Sequence, residues 1–197
     1  MLAEIFYEHH NQMKLPRLTL KTQAKALLKD IEEGVKAEME EAKKIPVSVL
    51  LWGPSQDNNS KISKLRLSLR TDLTKDGHLA KFSEELIHGN KMTIRLQQLI
   101  HAQKFDLIIS LPYSPGSIAE IHDFVLDKRI NKKLLVFLNE EYDYGYSNQS
   151  LNAVCSVLTF RAEAYNGFKE IPKIKRIVYD TVQTIREIKY LNQGKLI

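Results

Sequence analysis

Phe105-Asp-Leu-Ile-Ile-Ser-Leu111, followed by Pro112-Tyr-Ser-Pro-Gly-Ser117, is the stretch on which the fold turns. The first half is a short, continuous apolar run. That is what a strand buried on both faces requires, as in the middle of a parallel sheet. Two prolines, a glycine and two serines then force a turn. Residues 118–128 resume a helical pattern, so the segment reads as strand, turn, helix.

The same grammar extends in both directions. Val47–Trp52 is a second buried strand, closed by Gly53-Pro54-Ser55. Residues 61–75 place Ile62, Leu65, Leu69 and Leu73 on one helical side, and Gly77 ends the helix. His78–Phe82 reads as a strand, 83–92 has no clear pattern, and 93–103 reads as a helix. Downstream, Leu134–Leu138 is a strand, 139–150 a polar, tyrosine-rich loop, 154–160 a fifth strand and 173–191 a closing helix. Upstream, 18–43 is one amphipathic helix carrying Leu20, Ala24, Leu27, Leu28, Ile31, Val35 and Met39, bounded by Pro16 and Pro46. The expected organisation is a helical extension over 1–46 and an α/β domain over 47–197. Alternating strands and helices define a three-layer α/β sandwich with a parallel sheet of about five strands. A flavodoxin-like order, 2-1-3-4-5, places a ligand crevice at the C-terminal ends of the first and third strands.

Composition narrows the class. The 197 residues are 43% apolar and 27% charged, which excludes a wholly disordered chain. No run of about 18 apolar residues exists, so no membrane-spanning helix is expected. The acidic, histidine-bearing start MLAEIFYEHH does not read as a secretory signal. The single cysteine, Cys155, excludes an internal disulfide and a cysteine zinc cage. A cytoplasmic protein is the expectation. The 29 basic against 24 acidic residues give a net charge of +5, which permits a phosphate or nucleic-acid partner without demanding one. Small basic clusters at Lys43–Lys44, Lys128–Arg129, Lys132–Lys133 and Lys173–Arg176 read as solvated faces. There is no GxGxxG, no Walker loop and no Cys–His pair, so dehydrogenase and P-loop chemistry are disfavoured. The histidines, among them His9-His10, show no ligand spacing. No metal and no cofactor are expected.

Two loops meet at the predicted crevice, Trp52-Gly53-Pro54-Ser55 and Pro112–Ser117. The second opens a helix, whose N-terminal N–H groups suit an anion. Glu120 lies in that helix's first turn. It can close a capping box with Ser117, or it can point a carboxylate into the crevice to attack an anomeric carbon.

The run Asp106–Glu120, with its following helix and Lys132-Lys-Leu-Leu-Val-Phe-Leu138, resembles the nucleoside 2-deoxyribosyltransferase family and its relatives among Toll/interleukin-receptor-like and SLOG-type nucleotide-processing domains. Leu51–Ser55 and Asp76–Phe82 extend the resemblance over roughly residues 47–138. It implies a flavodoxin-like fold and action on an N-glycosidic bond of a nucleoside, nucleotide or NAD, by hydrolysis or transfer. It implies Glu120 as nucleophile and assigns Asp106 and Gly116 to family positions. The transferases carry an aspartate six residues before the glutamate, where this chain has Ser114. A serine can hydrogen-bond a ribose hydroxyl but holds no charge. The resemblance further implies homo-oligomerisation and a role as a bacterial defence effector, with a protein partner held through the N-terminal helix. The alternative is a nucleotide-sensing module without turnover.

The expected substrate-binding set is Trp52, Gly53, Pro54, Ser55, Asp106, Tyr113, Ser114, Gly116 and Ser117, around Glu120 as the catalytic residue. Trp52 and Tyr113 are the candidates for base stacking. Glu84 and Glu85 are candidates for ribose hydroxyls. Tyr142, Tyr144 and Tyr146 alternate in the loop after the fourth strand, as a lid or partner surface would.

Overall fold

The computed structural model describes residues 22–193 except 58, 90, 91, 143, 158 and 159. His9-His10 and the predicted helical residues 18–21 lie outside this range. The chain divides after Glu41 into two compact units. In the first, helix α1 (Thr22–Ala42, its last residue in the second unit) carries Leu27, Leu28, Ile31, Val35 and Met39 along one stripe.

The second unit is a flavodoxin-like α/β sandwich. Its elements are β1 (Ser48–Trp52), α2 (Lys61–Lys75), β2 (Leu79–Phe82), α3 (Ile94–Lys104), β3 (Leu107–Ser110), α4 (Pro115–Phe124), β4 (Leu134–Asn139), α5 (Tyr146–Cys155), β5 (Arg161–Tyr165) and α6 (Ile171–Leu191). All pairings are parallel, and the order is β2-β1-β3-β4-β5. Strands β1, β3 and β4 are apolar almost throughout because each is covered on both faces. Successive side chains alternate between those faces. Val49, Leu51, Ile109 and Phe137 face α2 and α6, where Leu65, Leu69, Val178 and Val182 complete one core. Leu50, Trp52, Ile108 and Val136 face the other side, against Leu99, Ile121, Phe124 and Leu151 from α3, α4 and α5. No described helix is long and apolar enough to cross a membrane.

The winding sets the crevice. The chain leaves β1 for its neighbour β2 through α2 on one face. It then crosses back beyond β1 to β3 through α3 on the other face. A right-handed crossover that reverses direction must change face, so the loops after β1 and β3 diverge and leave a gap.

Three sequence expectations shift. Helix α4 begins at Pro115 rather than 118 and ends at Phe124 rather than 128, because proline at the first helical position starts a helix well. The expected loop over 139–150 is a short 3₁₀ turn followed by α5. The fifth strand occupies 161–165, not 154–160, whose first two residues end α5. As an edge strand, β5 has few buried positions and a mixed sequence, so apolarity did not mark it.

Candidate functional site

Gly53 and Ser55 after β1, Ser83 and Glu84 after β2, Gln98 on α3, and Ser114, Gly116, Ser117 and Glu120 on α4 line one crevice of about 490 Å³. It sits at the C-terminal ends of β1 and β3. Gly53 is required there on steric grounds. Its φ is +154°, and a Cβ would stand 3.2 Å from the Leu111 carbonyl oxygen and 3.3 Å from Arg66 Cδ. A Cβ on Gly116 would meet nothing within 4 Å, so that glycine only leaves room.

Ser114, not Ser117, caps α4. Its hydroxyl accepts from the Ser117 N–H at 3.3 Å, and the Ser117 hydroxyl accepts from the N–H groups of Tyr113 and Ser114, both at 2.9 Å. This serine pair takes over the capping box and releases Glu120 from that role. It also consumes donors. Pro115 has no N–H, the Ser117 N–H goes to Ser114 Oγ, and the Ile118 N–H goes to the Ser114 carbonyl. Of the first turn, only the Gly116 N–H has no partner among the described residues and is left for an anion, so the helix end is a weaker anion site than the sequence implied.

Glu120 occupies the crevice wall. Its Oε1 accepts from Gln98 Nε2 at 2.5 Å and from the Ser83 hydroxyl at 3.4 Å. Oε2 has no protein partner among the described residues and is not sealed from solvent. Burial pushes the carboxyl up to about 7, and the nearby Glu84 carboxylate adds to the rise. The Arg66 guanidinium and the Ser83 hydroxyl oppose it. A carboxyl poised near neutrality in a cleft is the usual condition of a working acid, base or nucleophile.

Arg66, on α2, lies beneath the crevice and is 1% exposed. It forks onto Glu84 through two contacts of 2.7 and 2.5 Å, donates to the carbonyls of Pro54 (3.0 Å) and Leu51 (2.7 Å), and stacks 4.2 Å over the Phe82 ring. One guanidinium therefore ties the β1 loop to the turn after β2. Desolvation raises the Glu84 carboxyl, but the Arg66 hydrogen bonds and charge outweigh it and hold Glu84 below its usual value.

Four expected residues fall elsewhere. Trp52 is fully buried, its ring 5.2 Å from that of Phe124, so neither face is open to a base. Trp52 alternates inward with Leu50, and strand parity decides its direction. Asp106 precedes β3 and so stands at the opposite end of the sheet. It accepts from the Ser48 N–H and hydroxyl and from Lys189, each at 2.8 Å. It is a structural clasp, not a crevice residue. Pro54 contributes its carbonyl to Arg66 and does not line the crevice. Tyr113 packs against the α2/α6 core and lines a separate groove with Tyr142 and Tyr146, while Tyr144 points into solvent. Of the carboxylates after β2, Glu84 lines the crevice, whereas Glu85 pairs with Arg70 at 2.7 Å. Among the described residues, no three His, Cys, Asp or Glu side chains are placed to hold a metal.

Gln98 and Arg66 were not found from the sequence. Gln98 lies on a helix with polar residues at many positions, and only the fold shows which one turns inward. Arg66 shares the apolar side of Ile62, Leu69 and Leu73, a spacing signal that its charge masked. The single tryptophan gives a direct check on Trp52. Its emission is expected to be blue-shifted, nearly immune to iodide and unmoved by added nucleotide. Efficient iodide quenching would return the indole to the crevice.

No protein-family model matches the chain, and no curated protein matches it. The fold and the crevice define it as a flavodoxin-like α/β domain with a glutamate at the topological switch point.

Proposed function

We propose that the chain cleaves or transfers the N-glycosidic bond of a nucleoside, nucleotide or NAD. The observation that carries this reading is the Glu120 carboxyl. It is anchored through one oxygen by Gln98 and Ser83 while the other oxygen is open to a crevice large enough for a nucleoside. In the proposed reaction, Oε2 attacks the anomeric carbon as the bond to the base breaks. The transition state carries oxocarbenium character, and its positive charge is stabilised by the approaching Glu120 carboxylate, while Glu84 is already neutralised by Arg66. The bonding pair leaves with the base, which takes up a proton from solvent where it would otherwise depart as an anion. Water or an acceptor nucleophile then attacks the anomeric carbon, loses its proton to solvent and releases Glu120 as a carboxylate from the glycosyl ester. The resemblance in the stretch 106–120 supports this assignment, and a bacterial defence effector is the setting it implies.

A nucleophile must be ionised. With the Glu120 carboxyl near 7, kcat/KM is expected to rise about tenfold per pH unit below that value and to level off above it. The test is chromatographic detection of free base from NAD and a panel of nucleosides and nucleotides, run from pH 5 to 9. A rate that instead falls through pH 7 would make Glu120 a general acid and overturn the nucleophile assignment.

A nucleotide-binding module without turnover is the second reading. The capping box favours it, because both serines at the mouth are engaged with each other and neither supplies the charge of the aspartate that the transferases have at the Ser114 position. Ligand-induced thermal stabilisation without base release would decide for it.

A further inference from the structure

The basic clusters at Lys128–Arg129 and Lys132–Lys133 are largely solvated, as expected, but they are gathered rather than scattered. The segment between α4 and β4 folds them to the end of the sheet where the strands begin. There they meet Lys104 at the C-terminus of α3 and Arg161 at the start of β5, around a concavity of about 470 Å³. Its far wall is the C-terminal half of α6, with Ile185 and Ile188. This is the opposite end of the domain's sheet from Glu120.

The charge balance there is one-sided. Among the described residues, six cationic side chains line the concavity against one carboxylate, Asp106. Asp106 is already engaged by Lys189 at 2.8 Å and by Ser48, so it does not offset the others. Arg129 and Arg161 have their own partners, Asp127 and Glu163, each at 2.6 Å. Lys133 is held in place by donating to the carbonyls of Gln103 (2.8 Å) and Phe105 (2.9 Å). Lys104, Lys128 and Lys132 form no ion pair among the described residues and are exposed. Like charges gathered around a concavity repel one another, and a multivalent anion relieves that repulsion.

We propose that this concavity binds a compact oligophosphate, free or as the phosphate chain of a nucleotide. The arrangement favours a compact anion over a nucleic-acid strand. The cations line a single hollow, and the one aromatic side chain there among the described residues, Phe105, is buried and gives no surface for bases to stack on. The site is independent of Glu120 and of the reaction proposed for it.

The test is titration calorimetry of the full chain at low salt with inorganic tripolyphosphate, ATP and adenosine. Tripolyphosphate is expected to bind and to weaken as salt is raised. The variant Lys104→Ala/Lys128→Ala/Lys132→Ala, altered only at exposed positions, is expected to lose at least about tenfold in affinity with an unchanged melting temperature. Glu120→Gln is expected to leave tripolyphosphate affinity as it was. ATP binding more tightly than tripolyphosphate, with the gain lost in the triple variant, assigns the site to a nucleotide. Equal affinities assign it to free oligophosphate, and in both cases adenosine shows no lysine-dependent binding. The proposal is overturned if tripolyphosphate does not bind, if the triple variant binds it as well as the native chain, or if a single-stranded oligonucleotide binds through these lysines in preference to tripolyphosphate.

Discussion

Glu120→Gln is expected to lower turnover by at least about a thousandfold, because the neutral amide cannot attack an anomeric carbon. The same substitution is expected to stabilise the fold at alkaline pH. The carboxyl sits near 7 in the folded chain, against about 4.5 for an unperturbed glutamate. The native state therefore holds the proton more tightly than the unfolded state. Below about pH 4 both states are protonated, and the group's proton uptake favours the native state in full. As pH rises from 4.5 to 7 that contribution is lost, since the folded chain must ionise a carboxyl it has largely desolvated. Glutamine never ionises and keeps an oxygen for the Gln98 and Ser83 donors. Its gain over the native chain should emerge across this window and reach about 1–3 kcal/mol above pH 7, the lower end reflecting solvent at Oε2. Melting curves at pH 5 and pH 8 separate the outcomes. A variant that is inactive and uniformly less stable at both would mean that Glu120 holds the crevice together. A variant that turns over as fast as the native chain would remove Glu120 from the chemistry.

The sheet was legible because parallel strands buried on both faces have nowhere to place a polar side chain. Val47–Trp52, Phe105–Leu111 and Leu134–Leu138 therefore stood out as apolar runs, and their alternation with helices set the topology. The edge strand Arg161–Tyr165 was not legible, since among the described residues it has a strand neighbour on one side alone and less demand for apolar residues. Within the crevice, Glu120, Ser114, Gly116, Ser117, Gly53 and Ser55 were found because loop residues at strand ends are adjacent to the motifs that define the strands. The errors are of two physical kinds. Trp52 is one residue from the loop, but β1 is covered on both faces through its last residue, so the indole is buried whichever face it takes. Asp106 immediately precedes the strand whose far end carries the crevice, and a strand's two ends are at opposite edges of the sheet. Arg66 did leave a trace, which its charge outweighed. It stands four residues after Ile62 and three before Leu69, on the apolar side of α2, but an arginine on a helix usually faces water.

Arg66 is where the second large effect is expected. Arg66→Met keeps much of the side-chain volume but removes every donor. The Pro54 carbonyl then loses its side-chain donor, the Leu51 carbonyl keeps its ladder pairing with β2 alone, and Glu84 loses both contacts. A buried acceptor left unpaired costs about 1–3 kcal/mol and a lost hydrogen bond about 1 kcal/mol, whereas Glu84, partly exposed, can take up water and adds less. The stacking on Phe82 is also lost, and Arg70, 4.8 Å over the same ring, does not replace it from its position. A total of about 3 kcal/mol or more follows, or a melting temperature lower by roughly 6–12 °C for a domain of this size. Arg66→Lys restores the charge without the planar fork and should recover only part of the loss. A second consequence separates this clamp from ordinary packing. The Arg66 charge holds the Glu120 carboxyl down against burial and Glu84, so its removal should drive that carboxyl above 7. Carboxyl-carbon resonances followed from pH 5 to 9 would read this directly, with or without turnover, and Arg66→Lys should move the titration less than Arg66→Met. An unchanged Glu120 titration in the folded methionine variant would mean that the guanidinium does not act on the crevice. An unchanged melting temperature would mean that the two carbonyls find other donors, and the tie between the β1 loop and the β2 turn would have to be sought elsewhere.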